Sequence, residues 1–261
     1  MTTPRTPTRT SQEQFDRQAK HYDVQWNTWS EESLAWMLKQ AEPTQSDVVL
    51  DVATGTGFTA LGFAPHVASV IGLDVSTGML AQARQRAQEQ GLTNATFAEG
   101  NAEVLPFSEA DFDLVTCRIA PHHFLSVATF VQEVARVLKP GGRFVLADTT
   151  VPDDAPEVDA WQNGVEALRD PSHVRNYTPR EWRHFIEAAG LTVERTDTAG
   201  GIPITLNDWI LKAGCTPEQA AVVRQSFAQA PPAAIQAFQI ASLPDGDTRF
   251  VWQRVGIKAR R

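Results

Sequence analysis

The sequence predicts an α/β fold, a mostly parallel seven-stranded sheet with helices on both faces plus a helical cap. Three observations carry this expectation. From Val48 onward, short apolar runs alternate with amphipathic stretches of helical length, which requires right-handed crossovers and a sheet covered on both sides. A glycine-rich turn, "LDVATGTGFTA" from Leu50 to Ala60, joins the first apolar run to the first of these helices. Two helix-rich, aromatic-rich stretches, 151–177 and 200–247, stand outside the alternation and are expected as cap insertions over the sheet's carboxyl edge, where open α/β sheets bind ligands.

In chain order, Met1 to Thr10 ("MTTPRTPTRT") is polar and reads as a disordered segment or an arm. Phe15, Ala19 and Tyr22 then share one helical face, and Trp26, Trp29 and Trp36 extend an aromatic segment to the linker "AEPTQSD". Residues 1–44 are therefore expected as an N-terminal arm and helices, and 45–261 as the main domain. Strands are expected at 48–52, 68–74, 95–98, 112–117, 144–147, 191–195 and 250–258, with a helix at 56–65 after the glycines. Ser76 caps a helix with Leu80, Ala83 and Ala87 on one face and Gly91 as its stop. Ser126 caps another, whose Phe130, Val131, Val134, Val137 and Leu138 form a core stripe ending at "KPGG". "TPRE" at Thr178 to Glu181 is a capping box with Pro at the first helical position, and its helix runs to Gly190.

Composition bounds the function. The 261 residues are 42% hydrophobic and 21% charged, an ordinary profile for a soluble globular chain. A net charge of −8 with scattered Lys and Arg argues against a nucleic-acid partner. No apolar run approaches the roughly 20 residues of a membrane helix, and the N-terminus is polar, so no membrane partner is expected and the expected location is cytoplasmic. Cys117 and Cys215 are too few for a metal cluster or a disulfide framework, and no metal site is expected. The oligomeric state is not readable.

The glycine-rich turn admits two ligands. "GTGFTA" is Gly-x-Gly-x-x-Ala and Asp74 follows the second strand, which fits a dinucleotide fingerprint. Asp51, however, stands four residues before Gly55, where a carboxylate suits a cationic ligand better than a pyrophosphate. S-adenosylmethionine (SAM) carries a sulfonium and an ammonium and no phosphate.

"VLDVATGTG", "GLDVSTGML", "EGNAEVLPF", "FDLVTCRIAPHHF" and "VARVLKPGGRFVLAD" resemble, in order and spacing, the successive motifs of class I SAM-dependent methyltransferases. "CRIAPHHF" and "RDPSHVR" resemble the YcgJ-type branch of the UbiE-like group and extend the likeness over nearly the whole chain. The resemblance implies a Rossmann-like core, SAM as cofactor and a small-molecule methyl acceptor. It also implies that Asp51, Ala53, Gly55, Thr56 and Gly57 form the cofactor loop, with glycines because any side chain there blocks close approach. Asp74 would then take both ribose hydroxyls beside Val75. Met79 and Leu80 would flank the adenine, and Asn101-Ala102, where the family usually has Asp-Ala, would meet its amine. Cys117 and Arg118 would open the loop facing the sulfonium.

Methyl transfer from a sulfonium is an in-line displacement that needs alignment, exclusion of water and, for some acceptors, removal of a proton. His122 and His123, in the loop after the fourth strand, are candidate general bases; the alternative is that they bond the backbone and pack on the cap. In "RDPSHVR", Arg169, His173 and Arg175 either hold an anionic acceptor group or pin the cap by ion pairs. Within residues 1–44, Phe15, Ala19 and Tyr22 resemble the N-terminal lid of these methyltransferases, and Tyr22 either closes it over the site or shields the sheet edge. Trp161, Trp182 and Trp209 are expected in the core, with room for one to line an apolar acceptor pocket. Oxygen is the first expectation for the accepting atom, and carbon on a quinone-like ring the alternative. A non-catalytic SAM-binding protein is a further alternative. A nicotinamide dehydrogenase would need a Tyr/Lys pair, hard to place with Tyr22 and Tyr177 as the only tyrosines.

Overall fold

The computed structural model describes residues 6–18 and 27–261. Ala19, Tyr22 and Trp26 lie outside these residues. The described chain opens with α1 (Ser11–Gln18) and α2 (Asn27–Ala41), then alternates β1 (Val48–Val52), α3 (Phe58–Phe63), β2 (Ser69–Asp74), α4 (Thr77–Glu89), β3 (Ala95–Glu99), β4 (Phe112–Arg118), α5 (Val127–Val137) and β5 (Leu138–Thr150). It continues with α6 (Pro156–Arg169), α7 (Pro179–Ala188), β6 (Thr192–Gly200), β7 (Ile204–Thr205), α8 (Leu206–Lys212), α9 (Pro217–Ala228), α10 (Pro232–Ala237), β8 (Ala241–Ser242), β9 (Thr248–Phe250) and β10 (Gln253–Arg260). Among the described residues no helix is long and apolar enough to cross a membrane.

Seven strands form the main sheet in the order β3-β2-β1-β4-β5-β10-β6, parallel except for β10, which runs antiparallel to both neighbours. The chain leaves β1 outward to β3 and returns on the other side as β4. The C-terminal ends of β1 and β4 thus flank the reversal of strand order at which such sheets bind ligands.

Two apolar layers clasp the sheet. Phe130, Val134 and Val137 of α5 and Trp182 and Ile186 of α7 press on Leu50, Phe144 and Leu146 from one side, while Met37 and Ala41 of α2 and Phe63 of α3 press on Val49, Leu114 and Val145 from the other. Trp182 and Phe130 are fully buried, each contributing roughly 2–3 kcal/mol of hydrophobic burial. A third cluster lies in the cap, where Trp209, Phe227, Phe238, Phe250 and Trp252 pack with Val165 of α6. Their rings meet at 4.7 Å (Phe238 and Trp252) and 4.8 Å (Phe227 and Phe250). Trp161 and Trp209 belong to this cluster and Trp182 to the sheet core, so all three are packing residues.

Several expected boundaries shift, each for a physical reason. The helix expected at 56–65 starts at Phe58 because Gly57 is left-handed (φ 83°), and past Phe63 it tightens into a 3-10 turn, Ala64–His66. The fifth strand, expected at 144–147, begins at Leu138, which pairs with Phe112, and it absorbs "KPGG", whose Gly141 amide donates to the Arg261 carbonyl at 2.9 Å. The sixth strand runs nine residues because β10 supplies it with a ladder partner. The run expected as one strand at 250–258 splits. Phe250 ends β9 in a small sheet ordered β7-β9-β8, and the main-sheet strand restarts at Gln253. The N-terminal segment is docked over its described part, with the Thr8 amide donating to the Pro171 carbonyl at 3.1 Å.

Candidate functional site

A cleft of about 340 Å³ opens over the C-terminal ends of β1, β2 and β4, a size that suits a small-molecule cofactor. Of the residues singled out in the sequence, Ala53, Gly55, Thr56, Asp74, Val75, Met79, Asn101, Ala102, Arg118 and His123 all line it. Asp51, Gly57, Leu80, His122, Arg169, His173 and Arg175 are not among the residues lining this cleft, and Tyr22 lies outside the described residues.

The floor is built by the β1 turn. Ala53 and Gly55 have φ of 54° and 56°, so the backbone curls back over the end of β1. A Cβ at Gly55 would meet no protein atom within 4 Å and would project toward the cleft instead. Gly57 is glycine for a different reason from the one expected. Its φ is 83° and a Cβ would lie 3.0 Å from Ala83 and 3.2 Å from Phe97, so it permits close packing of the turn on α4.

Asp51 sits one layer below. Its carboxylate accepts from the Thr54 hydroxyl at 2.6 Å and the Thr116 hydroxyl at 2.7 Å, and Thr54 itself lines the cleft. Burial pushes the Asp51 carboxyl up to about 6, against the two hydroxyl bonds and the nearby Arg118 charge. Asp74 closes the end of β2. One oxygen accepts from the Gly55 amide at 2.8 Å and the other from the Ser76 amide at 2.9 Å, which holds the carboxylate rigidly against the loop. Burial raises its carboxyl too, opposed by those amides. Asn101 has two roles at once, a wall position and a turn. It lines the cleft, and its Oδ1 accepts from the Glu103 amide at 2.9 Å in a turn. Cys117 is fully buried in the sheet core, whereas Arg118 reaches the cleft with Nε on Thr59 Oγ1 at 2.9 Å and its guanidinium over the Phe58 ring.

The two histidines in the turn after β4 have different surroundings. His122 Nδ1 lies 2.7 Å from Asp148 Oδ1 at the end of β5, and the other Asp148 oxygen accepts the His122 amide at 3.2 Å. Burial alone would lower the His122 imidazole, but the Asp148 charge and hydrogen bond outweigh it and the imidazole is raised above its ordinary value. His123 contacts the Ser172 carbonyl at 3.2 Å and the Ser172 hydroxyl at 3.1 Å through Nδ1. Burial, then the neighbouring His122 charge, drop it to about 4. The ring centroids lie 4.3 Å apart with the planes tilted by 45°, His123 lining the cleft and His122 behind it.

The "RDPSHVR" side chains are committed to structure. Arg175 bonds Asp159 and Glu181, both at 3.0 Å, and lies over the Tyr177 ring. Arg169 donates to the Trp209 carbonyl at 2.9 Å and covers the Trp209 ring at 4.5 Å. His173 Nε2 meets Asn163 Oδ1 at 3.0 Å. These contacts tie the segment to α6, α7 and α8 rather than to the cleft.

Sequence reasoning missed Asp148, Thr54 and the α1 clasp. Asp148 ends the quoted motif "VARVLKPGGRFVLAD", and an acid at the C-terminal end of a parallel strand is a signal that was available. In the clasp, Asp16 accepts from the Ser76 hydroxyl at 2.5 Å and the Gly78 amide at 3.3 Å, and Phe15 packs edge-on against His123 at 5.0 Å. Phe15, Ser11 and Thr10 thereby wall the cleft.

Known proteins are similar to this chain in sequence and fold. A family profile described as a methyltransferase domain matches residues 49–142. The chain is 40% identical over 205 residues to the uncharacterized methyltransferase YcgJ of Bacillus subtilis, covering 78% of this chain and 80% of that one. The crystal structure of the Bacillus YcgJ protein superposes with a TM-score of 0.85 at 37% identity, over 88% of this chain and 98% of that chain. A demethylmenaquinone methyltransferase of Symbiobacterium thermophilum is 38% identical over 152 residues, 54% of this chain and 59% of its own length.

Proposed function

This chain belongs to the class I SAM-dependent methyltransferases, and on that premise we propose that it methylates an oxygen of a small-molecule acceptor, with His122 as general base held by Asp148. SAM supplies a methyl group on a sulfonium, a good leaving group. The fit to this chain rests on the donor and acceptor set in the cleft. Asp74 presents a fixed carboxylate suited to paired ribose hydroxyls, and Gly55 leaves the loop open for close approach. Asn101 and Ala102 are suited to the adenine, and Asp51 lies under the loop as the charge complementary to the cationic end.

The observation that carries the base assignment is the 2.7 Å contact between His122 Nδ1 and Asp148. A carboxylate on Nδ1 places the proton there, leaves Nε2 as the acceptor and stabilises the imidazolium that forms. His123, at about 4, is too weakly basic to hold an abstracted proton near neutrality and serves as a wall of the site. Segments 151–177 and 200–247 act as the acceptor cap, and the N-terminal 1–44 as arm and lid, with Phe15 and Asp16 already latched onto the cleft. A second reading, methylation of carbon on a quinone-like ring, is favoured by the demethylmenaquinone methyltransferase relative. The same base serves it by ionising a ring hydroxyl.

The test is an acceptor panel of phenols, hydroxyquinones and hydroxy acids with carbon-13 methyl-labelled SAM. The chemical shift of the transferred methyl distinguishes oxygen from carbon. His122→Ala is expected to lower kcat by about 10²–10⁴ with cofactor binding retained. Unaltered turnover in that variant would sink the base assignment.

A further inference from the structure

We propose that His123 selects the methyl acceptor: its Nε2, bare of a proton at the cleft wall, accepts a hydrogen bond from an O–H or N–H group beside the oxygen that is methylated. The inference rests on the methyl-transfer reading above. It narrows the acceptor class to small molecules that carry two neighbouring hydrogen-bond donors on an apolar body.

The neighbours of the ring fix where its proton sits. The Ser172 carbonyl, 3.2 Å from His123 Nδ1, can only accept. The Ser172 hydroxyl, 3.1 Å from the same nitrogen, has one proton and donates it to Asp170 Oδ1 at 2.7 Å. Toward the ring it therefore presents an acceptor as well. The Ser172 amide donates to the same Asp170 oxygen at 2.9 Å and fixes the turn. Asp170, Ser172 and His123 are all buried, so water does not compete for these contacts. Two acceptors at Nδ1 hold the proton there and leave Nε2 with a lone pair.

That lone pair belongs to the cleft. His123 lines the cleft and Ser172 and Asp170 do not, so the ring turns Nδ1 away and its opposite edge inward. Among the described residues Nε2 has no hydrogen-bond partner, whereas Nδ1 has two. The wall around it is apolar. Phe15 packs edge-on against the ring at 5.0 Å, and Phe124 and Leu125 line the cleft next in the chain. The wall carboxylates already have donors, Asp74 the Gly55 and Ser76 amides and Glu103 Oε1 the Ser126 amide at 2.8 Å. An acceptor atom in apolar surroundings gains most from a guest that brings a donor.

The ring keeps this polarity near neutrality, because burial first and then the His122 charge lower it to about 4. The His122 ring, the proposed base, has its centroid 4.3 Å from that of His123. Imidazoles this close serve neighbouring groups of one molecule. One group loses its proton to His122 and is methylated; the other stays protonated and bonded to His123.

The test titrates the full chain, loaded with S-adenosylhomocysteine, with catechol and with 2-fluorophenol, a probe of similar size that lacks the second donor. Catechol is expected to bind about tenfold more tightly, the span of about one hydrogen bond. His123→Phe keeps a ring against Phe15 and is expected to erase that preference. Arg183→Gln, at an exposed pair with Glu187, should leave it intact. Nitrogen-15 spectra of the histidine rings are expected to show His123 neutral near pH 7, with its proton on Nδ1. Equal binding of the two probes, no binding of either, an undiminished preference in His123→Phe, or a proton on Nε2 would overturn the proposal. If His123→Phe does not fold, the wild-type preference and the ring spectra decide. Failure of S-adenosylhomocysteine to load would instead overturn the methyl-transfer reading.

Discussion

Replacing Asp51 by Asn is expected to make the cofactor-free protein more stable and its grip on SAM weaker. The buried carboxyl is raised from 3.8 to about 6. At 1.36 kcal/mol per tenfold, keeping it ionised costs the folded state about 3 kcal/mol. The sign follows from the direction of the shift. A carboxyl raised on folding carries no penalty below its unfolded value of 3.8, accumulates one as pH rises, and carries all of it above about 6. Asn keeps one acceptor for a threonine hydroxyl and offers an amine to the other, so the shell of Thr54 and Thr116 survives. At pH 7.5 the variant should therefore melt several degrees higher, about 2–4 °C for each kcal/mol in a chain of this size. The gain should close as pH falls toward 4. Calorimetric titration of the same variant should show SAM weakened about tenfold and more than S-adenosylhomocysteine, because the lost attraction is to the sulfonium. A variant less stable than wild type at pH 7.5, or an unchanged preference between the two ligands, would refute the reasoning.

Further outcomes follow from the same geometry. The rate with any accepted substrate should rise with pH through a midpoint above the ordinary histidine value, since His122 must be neutral to act and Asp148 raises it. Asp148→Asn should move that midpoint down and lower the plateau, read from a pH–rate profile. Gly57→Ala should destabilise by about 1–3 kcal/mol, because it combines a left-handed φ with a 3.0 Å clash on Ala83, and denaturant unfolding measures it.

The core of the fold was legible because parallel strands buried on both faces read as continuous apolar runs, and because Ser76, Ser126 and Thr178 announce their helices through caps that the structure contains. The ends of β5, β6 and β10 were not, since their lengths depend on pairing between distant segments, β10 with β5 and β6, and Leu138 with Phe112. The cleft-lining residues clustered as expected because strand ends of a parallel sheet converge. What a linear pattern could not convey is depth. Asp51 lies beneath the loop, not in it, and Gly57 answers to Ala83 and Phe97 rather than to a ligand. Arg169 and Arg175 look available in sequence, yet Arg169 finds the Trp209 carbonyl on α8 and Arg175 is taken up by Asp159 and Glu181 on the two flanking helices, α6 and α7.

The most direct measurement is isothermal titration of the protein with SAM, S-adenosylhomocysteine and NAD, repeated with Asp74→Ala. SAM and S-adenosylhomocysteine are expected to bind, NAD not to, and the variant to lose about 10²-fold or more of their affinity through two lost charge-assisted bonds. Binding of NAD alone, or SAM affinity indifferent to Asp74, would contradict the assignment of this cleft.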